Sequence, residues 1–139
     1  ILEACPLGEQ ADAVVFDFHA EATSEKLCFA HFVDGRASFV VGTHTHVPTA
    51  DAQILNGGTA YLTDAGMCGD YDSSIGMDKE EPVNRFVSKI PKGRFEAASG
   101  PATICGVADE ISDRTGLAEK IAPLRIGPRL AETFPDFWS

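Results

Sequence analysis

Before residue 42 the apolar and polar positions fall into a strand, a helix and a second strand. Ala13-Val14-Val15-Phe16-Asp17-Phe18 is short, β-branched and aromatic, and nearly continuously apolar. That is the pattern of a strand covered on both faces of a sheet. Beyond His19-Ala20-Glu21-Ala22-Thr23, residues 24–32 predict a helix. Thr23 or Ser24 supplies its cap, Glu25 suits the positive end of its dipole, and Leu27, Ala30 and His31 form a stripe for burial. Asp34-Gly35 ends it. Residues 37–41 are a second apolar run, which breaks at Gly42 into Thr43-His44-Thr45-His46-Val47-Pro48. A strand, a helix and a strand within about 30 residues mark a βαβ unit with a parallel sheet.

The pattern then changes. Gln53-Ile54-Leu55, Asn56-Gly57-Gly58 and residues 59–63 predict a β-hairpin, because Asn-Gly supplies the positive φ of a tight turn. A Gly-rich loop runs from Asp64 to Gly76. Pro82 at a first helical position, with Val83, Phe86, Val87 and Ile90 at helical spacing, predicts an amphipathic second helix. Residues 94–126 predict two or three antiparallel strands turning at Asp113-Arg114-Thr115-Gly116, and Pro123 confines the last of them to an edge. The class is α/β with an α+β tail. With no repeat, low-complexity tract or linker, residues 1–139 read as a single unit.

Composition narrows the function. The 139 residues are 44% apolar with nine Phe, enough for a real core. Eleven Lys and Arg stand against 21 Asp and Glu, a formal charge of −10. The basic groupings Lys89/Lys92/Arg94 and Arg125/Arg129 are too sparse to hold a nucleic-acid polymer. If the protein handles phosphate, something other than side-chain cations must neutralise it, and a metal ion is the obvious candidate. No run of about 18 apolar residues is present to cross a membrane as a helix. The N-terminus carries neither a basic nor an apolar leader region, which predicts a cytoplasmic location. It opens on Ile rather than Met, as a fragment would. Cys5, Cys28, Cys68 and Cys105 form no Cys-x-x-Cys pair and read as buried, reduced thiols.

Three of the four histidines fall at strand ends. His19 follows the first strand, and His44 and His46 follow the second. Ligands collect at the C-terminal ends of strands in an open α/β sheet, and two adjacent parallel strands bring these loops together. His44 and His46 share a side if the backbone stays extended. Neutral imidazoles ligate Zn, Mn and Fe, so the three histidines are metal-ligand candidates. Asp17 alternates onto the face of His19, placed to ligate or to orient a histidine. His31, between Ala30 and Phe32, is a packing or solvent-edge residue. Cys68 as a nucleophile would need an oriented base, and nothing in the sequence puts one beside it. The glycines near it, Gly66, Gly69 and Gly76, match no Walker motif. Tyr71 and Asp72 are placed to meet a substrate or a neighbouring subunit.

Asp17-Phe18-His19-Ala20-Glu21-Ala22-Thr23-Ser24-Glu25-Lys26 and Val41-Gly42-Thr43-His44-Thr45-His46-Val47-Pro48-Thr49-Ala50-Asp51 carry a resemblance. So do Gly57-Gly58-Thr59-Ala60-Tyr61, Thr63-Asp64-Ala65-Gly66-Met67, and Tyr71-Asp72-Ser73 with Ile75-Gly76-Met77. Together they resemble the later motifs of the bacterial calcineurin-like 2′,3′-cyclic-nucleotide 2′-phosphodiesterases, which belong to the binuclear metallophosphoesterases. The resemblance implies half of a metallophosphoesterase-type β-sandwich flanked by helices. It implies that His19 and His44 ligate one metal and His46 another. Asp17, Glu21, Thr43, Thr45 and Asp64, in the same motifs, are candidates for supporting these ligands or meeting substrate. The ions implied are two divalent metals, iron or manganese first and zinc or magnesium as alternatives. The chemistry implied is hydrolysis of a small phosphodiester or phosphomonoester, such as a cyclic nucleotide, by a hydroxide bridging the metals.

Chains of that family are nearly twice this length. Their first half carries a metal-binding Asp, a bridging Glu and an Asn-His pair that includes the general acid, and none of these motifs occurs here. Asp17-Phe18-His19 is not the opening Asp-x-His of other metallophosphoesterases, because the Gly-Thr-His-Thr-His loop, normally last, follows it closely. Residues 1–139 therefore read as the C-terminal portion of such a domain, with an incomplete metal pair. Self-association or a complementing N-terminal half is expected as partner. The rival reading is a non-catalytic metal-binding or oligomerisation module.

Overall fold

The computed structural model describes residues 2–138. Strand β1 (Val15–His19) leads into helix α1 (Thr23–Val33) and returns as β2 (Phe39–Thr43). The two strands pair in parallel, with Val15 opposite Phe39 and His19 opposite Thr43. This is the expected βαβ unit, and His19 is the last residue of β1 rather than the first beyond it. Strands β3 (Gln53–Ile54) and β4 (Ala60–Leu62) form the expected hairpin around Asn56-Gly57-Gly58. Strand β4 lies parallel to β2, so the sheet order is β1-β2-β4-β3.

Each face of this sheet has its own cover. Val40 and Tyr61 face α1, where Ala30 and Val33 are wholly buried and Phe16 and Phe18 pack in from β1. The rings of Phe18 and Phe29 stack with centroids 4.4 Å apart. Phe39, Ala60 and Leu62 face the other way and meet Val107, Ala118 and Ile121. Those residues come from β5 (Ile104–Ile111) and β6 (Ala118–Ile126), the antiparallel pair of the tail. Burying a large aliphatic or aromatic side chain contributes about 1.5–3 kcal/mol, so these two layers hold the sheet.

Helix α1 departs from its sequence pattern. Neither Thr23 nor Ser24 caps it; Ala22 holds the cap position with no side-chain hydrogen bond. Its buried residues are Lys26, Ala30 and Val33, while His31 is exposed. Spacing of four and three puts Lys26 on the inward stripe, and a charged partner described below accounts for it. At the far end, Asp34 accepts hydrogen bonds from the N–H groups of Gly57 (2.7 Å) and Thr59 (3.2 Å) and so fastens the hairpin turn to the helix end.

Helix α2 runs Glu80–Ser88, so Pro82 is its third residue rather than its first. None of its residues is buried, and the apolar stripe expected to face a core lies on the surface. The thiols also differ from expectation. Only Cys105 is buried, and Cys28 and Cys68 are exposed. Among the described residues no helix is long and apolar enough to cross a membrane.

Candidate functional site

Parallel pairing of β1, β2 and β4 brings three strand ends to one edge of the sheet. His19, Thr43, His44, His46, Asp64, Gly66 and Met67 line a hollow of about 180 Å³ there. His19 and His44 are in direct contact: His19 Nε2 lies 3.3 Å from His44 Nδ1, with the rings edge to face. The other nitrogen of His19, Nδ1, lies 3.0 Å from Thr43 Oγ1, its partner in the strand register. A proton on Nδ1 donated to that hydroxyl leaves Nε2 with a free lone pair. The orienting partner of His19 is therefore Thr43. Asp17 shares the His19 face, but it is exposed and its carboxylate does not orient the ring.

The loop after β2 does not stay extended. His44 has φ 126° and His46 has φ 65°, both in the region that disfavours side chains. Such backbone persists only where the surroundings hold it, and here the hold is Asp64. Its Oδ2 accepts the N–H of Thr45 (2.7 Å), between the two histidines, and its Oδ1 accepts the N–H of Gly66 (2.9 Å). Lys26 Nζ lies 3.4 Å from Oδ2, and both side chains are 1% exposed. Burial by itself would raise the Asp64 carboxyl. The Thr45 and Gly66 amides and the Lys26 charge outweigh that and hold it below the usual carboxylate value.

Further bonds zip the two loops together. Thr49 N–H donates to the Asp64 carbonyl (3.0 Å), and Asp64 N–H donates to Thr49 Oγ1 (2.9 Å). Met67 N–H donates to the His46 carbonyl (3.2 Å). The close approach needs glycine: a Cβ at Gly42 would sit 1.9 Å from the Thr63 carbonyl oxygen. Tyr71 adds a strut. Its hydroxyl accepts the Met67 N–H (3.1 Å) and lies within hydrogen-bond distance of the His46 carbonyl (3.2 Å) and Cys105 Sγ (3.1 Å). Burial, reinforced by the Cys105 contact, pushes the phenol well above its ordinary value, so it stays protonated.

The other candidates lie outside this arrangement. Glu21 is exposed in the bend between β1 and α1. Thr45 acts through its backbone, and its hydroxyl turns to the Val47 carbonyl (3.1 Å). Asp72 is ion-paired with Lys79 (2.8 Å) and Arg129 (2.7 Å). Cys68 Sγ donates to the Cys105 carbonyl (3.4 Å) and has no histidine beside it. Among the described residues no three His, Cys, Asp or Glu side chains come together as a ready metal-holding group, so His46 lines the hollow without joining the His19–His44 pair. Sequence reasoning missed Lys26 and the strut role of Tyr71. The signal for Lys26 was its phase with Ala30 and Val33; no sequence signal reported the Tyr71 hydroxyl.

Residues 1–124 match the family model described as YmdB-like protein. The chain belongs to the YmdB-like family. Among its relatives is the 2′,3′-cyclic-nucleotide 2′-phosphodiesterase of Bacillus subtilis, 54% identical over 113 residues that make up 81% of this chain and 42% of that protein. A hypothetical protein from Thermus thermophilus, known from its crystal structure, superposes with TM-score 0.76 at 47% identity. That match covers 91% of this chain and 47% of the other. A phosphatase from Mycoplasma pneumoniae superposes with TM-score 0.74 at 41% identity, over 80% of this chain and 40% of the other. The chain thus spans about half the length of the YmdB-like proteins it matches, and its mixed parallel sheet is consistent with half of a metallophosphoesterase fold. All the site residues above lie within the YmdB-like match.

Proposed function

We propose that this chain supplies the histidine side of a metal-dependent phosphoesterase, whose whole form hydrolyses small phosphodiesters or phosphomonoesters, cyclic nucleotides among them. The observation that carries this reading is the 3.3 Å separation of His19 Nε2 and His44 Nδ1 at the ends of adjacent parallel strands. Two imidazole nitrogens bound at about 2.1 Å to one ion at a tetrahedral angle stand about 3.4 Å apart, so the pair fits a shared divalent ion. His19 and His44 would hold one ion and His46 a second, with iron or manganese preferred by nitrogen donors over magnesium. When bound, the ions neutralise charge on the phosphoryl oxygens and activate water, which an acidic chain cannot do with its own cations.

The chain's own residues prepare for this. Thr43 orients the His19 ring through Nδ1, and Asp64 holds the turn that presents His44 and His46. Asp64, the carboxylate that lines the hollow, is engaged by the Thr45 and Gly66 amides and by Lys26, which leaves a bridging carboxylate and a proton-donating acid to be supplied. We assign those groups to polypeptide outside residues 1–139, so the isolated chain binds an ion but turns over poorly.

Titrating Mn²⁺ into the 139-residue chain and into the whole protein, alongside bis-p-nitrophenyl phosphate hydrolysis, tests the reading. The expected result is Mn²⁺ affinity lost in His19→Ala and His44→Ala, with hydrolysis by the whole protein alone. Mn²⁺ affinity unchanged in both variants overturns the metal assignment. Robust His44-dependent turnover by the chain alone overturns the division of the site. Ion binding without turnover in either form favours the non-catalytic module.

A further inference from the structure

The loop that carries His46 borders two cavities. His46 lines the histidine hollow, while the next two residues, Val47 and Pro48, line a slot of about 290 Å³ with Tyr71, Arg125, Leu130 and Ala131. The partition between them is thin. A Cβ on Gly66, in the hollow wall, would sit 2.8 Å from Pro48 Cδ and 2.9 Å from the Tyr71 hydroxyl. We propose that this slot takes the base of a nucleotide whose phosphate lies in the histidine hollow, an assignment that rests on the phosphoesterase reading.

The walls suit a flat, uncharged ring. Apolar and aromatic side chains with a few fixed polar groups make up most small-molecule sites, which begin at about 300 Å³. Here Val47, Pro48, Leu130 and Ala131 are apolar, and Val47 is 49% exposed directly after a histidine. Tyr71 is pinned through its hydroxyl, which accepts the Met67 N–H (3.1 Å). Arg125 is held as firmly. Its backbone exchanges two hydrogen bonds with Thr133 (2.9 and 3.0 Å), which folds Leu130 and Ala131 back as a wall. Its Nε donates to the Ala131 carbonyl (3.1 Å) and its Nη2 to Thr133 Oγ1 (2.7 Å), which uses neither hydrogen of Nη1. Among the described residues no carboxylate pairs with it. A fixed guanidinium donates to the ring nitrogens and carbonyls of a base, and its plane stacks on a base as an aromatic ring does. A base is uncharged near neutral pH, so the chain's charge of −10 does not oppose it. The chain passes from one cavity to the other in a single step, about 3.8 Å between Cα atoms, which the ribose between phosphate and base spans.

Steady-state kinetics of the whole protein with Mn²⁺ tests this, comparing adenosine 2′,3′-cyclic phosphate with the cyclic phosphate of methyl riboside, which lacks the base. Ala131→Glu sets a carboxylate into the slot from an exposed position, and Arg125→Lys removes the planar donor but keeps the charge. Each should raise the KM for the adenosine substrate relative to the base-free one about tenfold, the scale of one lost stacking contact, with the change in KM rather than kcat. In parallel, millimolar adenosine is titrated into the 139-residue chain in EDTA and followed by NMR. Its shifts should gather at Val47, Tyr71, Leu130 and Ala131 and disappear in Ala131→Glu, with circular dichroism checking that each variant is folded. Adenosine shifts at the slot without hydrolysis by any form support the slot and overturn the phosphoesterase reading. Hydrolysis with an unchanged KM ratio in both variants, or adenosine shifts that miss the slot, overturns the base assignment alone.

Discussion

Lys26 Nζ and Asp64 Oδ2 lie 3.4 Å apart with both side chains 1% exposed, which joins α1 to the loop that follows β4. Through Asp64 the same contact reaches the Thr45 amide between His44 and His46. A helix residue thus holds the histidine turn without touching a histidine.

Removing one member of this pair leaves the other charged and buried. Lys26→Met is expected to cost about 3 kcal/mol, roughly 10 °C in Tm, by thermal denaturation. Asp64→Asn should cost as much, because it strands Lys26 and weakens the Thr45 and Gly66 bonds. The Asp64 carboxyl is held low in the folded state, so its contribution is complete above the unfolded value of about 4 and fades as pH falls through the lower folded value. The acid limb of a stability–pH curve should therefore flatten in Asp64→Asn.

Thr43→Val keeps the shape of the strand end and removes the hydroxyl facing His19 Nδ1. Mn²⁺ affinity should drop about tenfold, the lower range for losing a partner that orients a ligand. His31→Ala, on the exposed face of α1, should leave it unchanged.

Tyr71→Phe deletes the hydroxyl that the Met67 N–H meets. The Met67 N–H keeps the His46 carbonyl (3.2 Å), so the change removes one of its two acceptors, a loss of about 0.5–1.5 kcal/mol. Amide exchange at Met67 should quicken accordingly, ahead of global unfolding, while β5 and β6 exchange as before.

Asp109 responds to pH in the opposite sense to Asp64. Both its carboxylate oxygens are buried without a hydrogen bond, and burial pushes its carboxyl up to about 6. The folded state therefore binds this proton more tightly than the unfolded chain, and stability falls as pH rises from about 4 to about 6. Asp109→Asn should raise Tm by a few degrees at pH 7.5 and leave it nearly unchanged at pH 4. A thermal melt at the two pH values checks this.

Local pattern carried much of the fold. The βαβ unit, the Asn56-Gly57-Gly58 turn and the antiparallel tail follow from periodicity and turn chemistry, and parallel pairing by itself places His19 beside the His44 loop. Contacts between distant segments were not legible. Lys26 reads as a surface residue until Asp64, 38 positions on, is known to meet it. The stripe on α2 shows only that one face is apolar, and periodicity does not say whether that face meets its own core. The extended geometry expected at His44-Thr45-His46 gave way because Asp64 draws in the amide between the two histidines. That is a tertiary hydrogen bond overriding a local preference.

The in-step pairing of β1 with β2 gives the histidine pair a second meaning. Side chains alternate along a strand, so a slip of one position would turn His19 away from the hollow and towards α1. Misaligned molecules would keep their helices and much of their apolar collapse, yet offer no paired nitrogens. On the proposed metal assignment, ion uptake would count only the molecules whose sheet closed in the correct frame, and so report strand alignment.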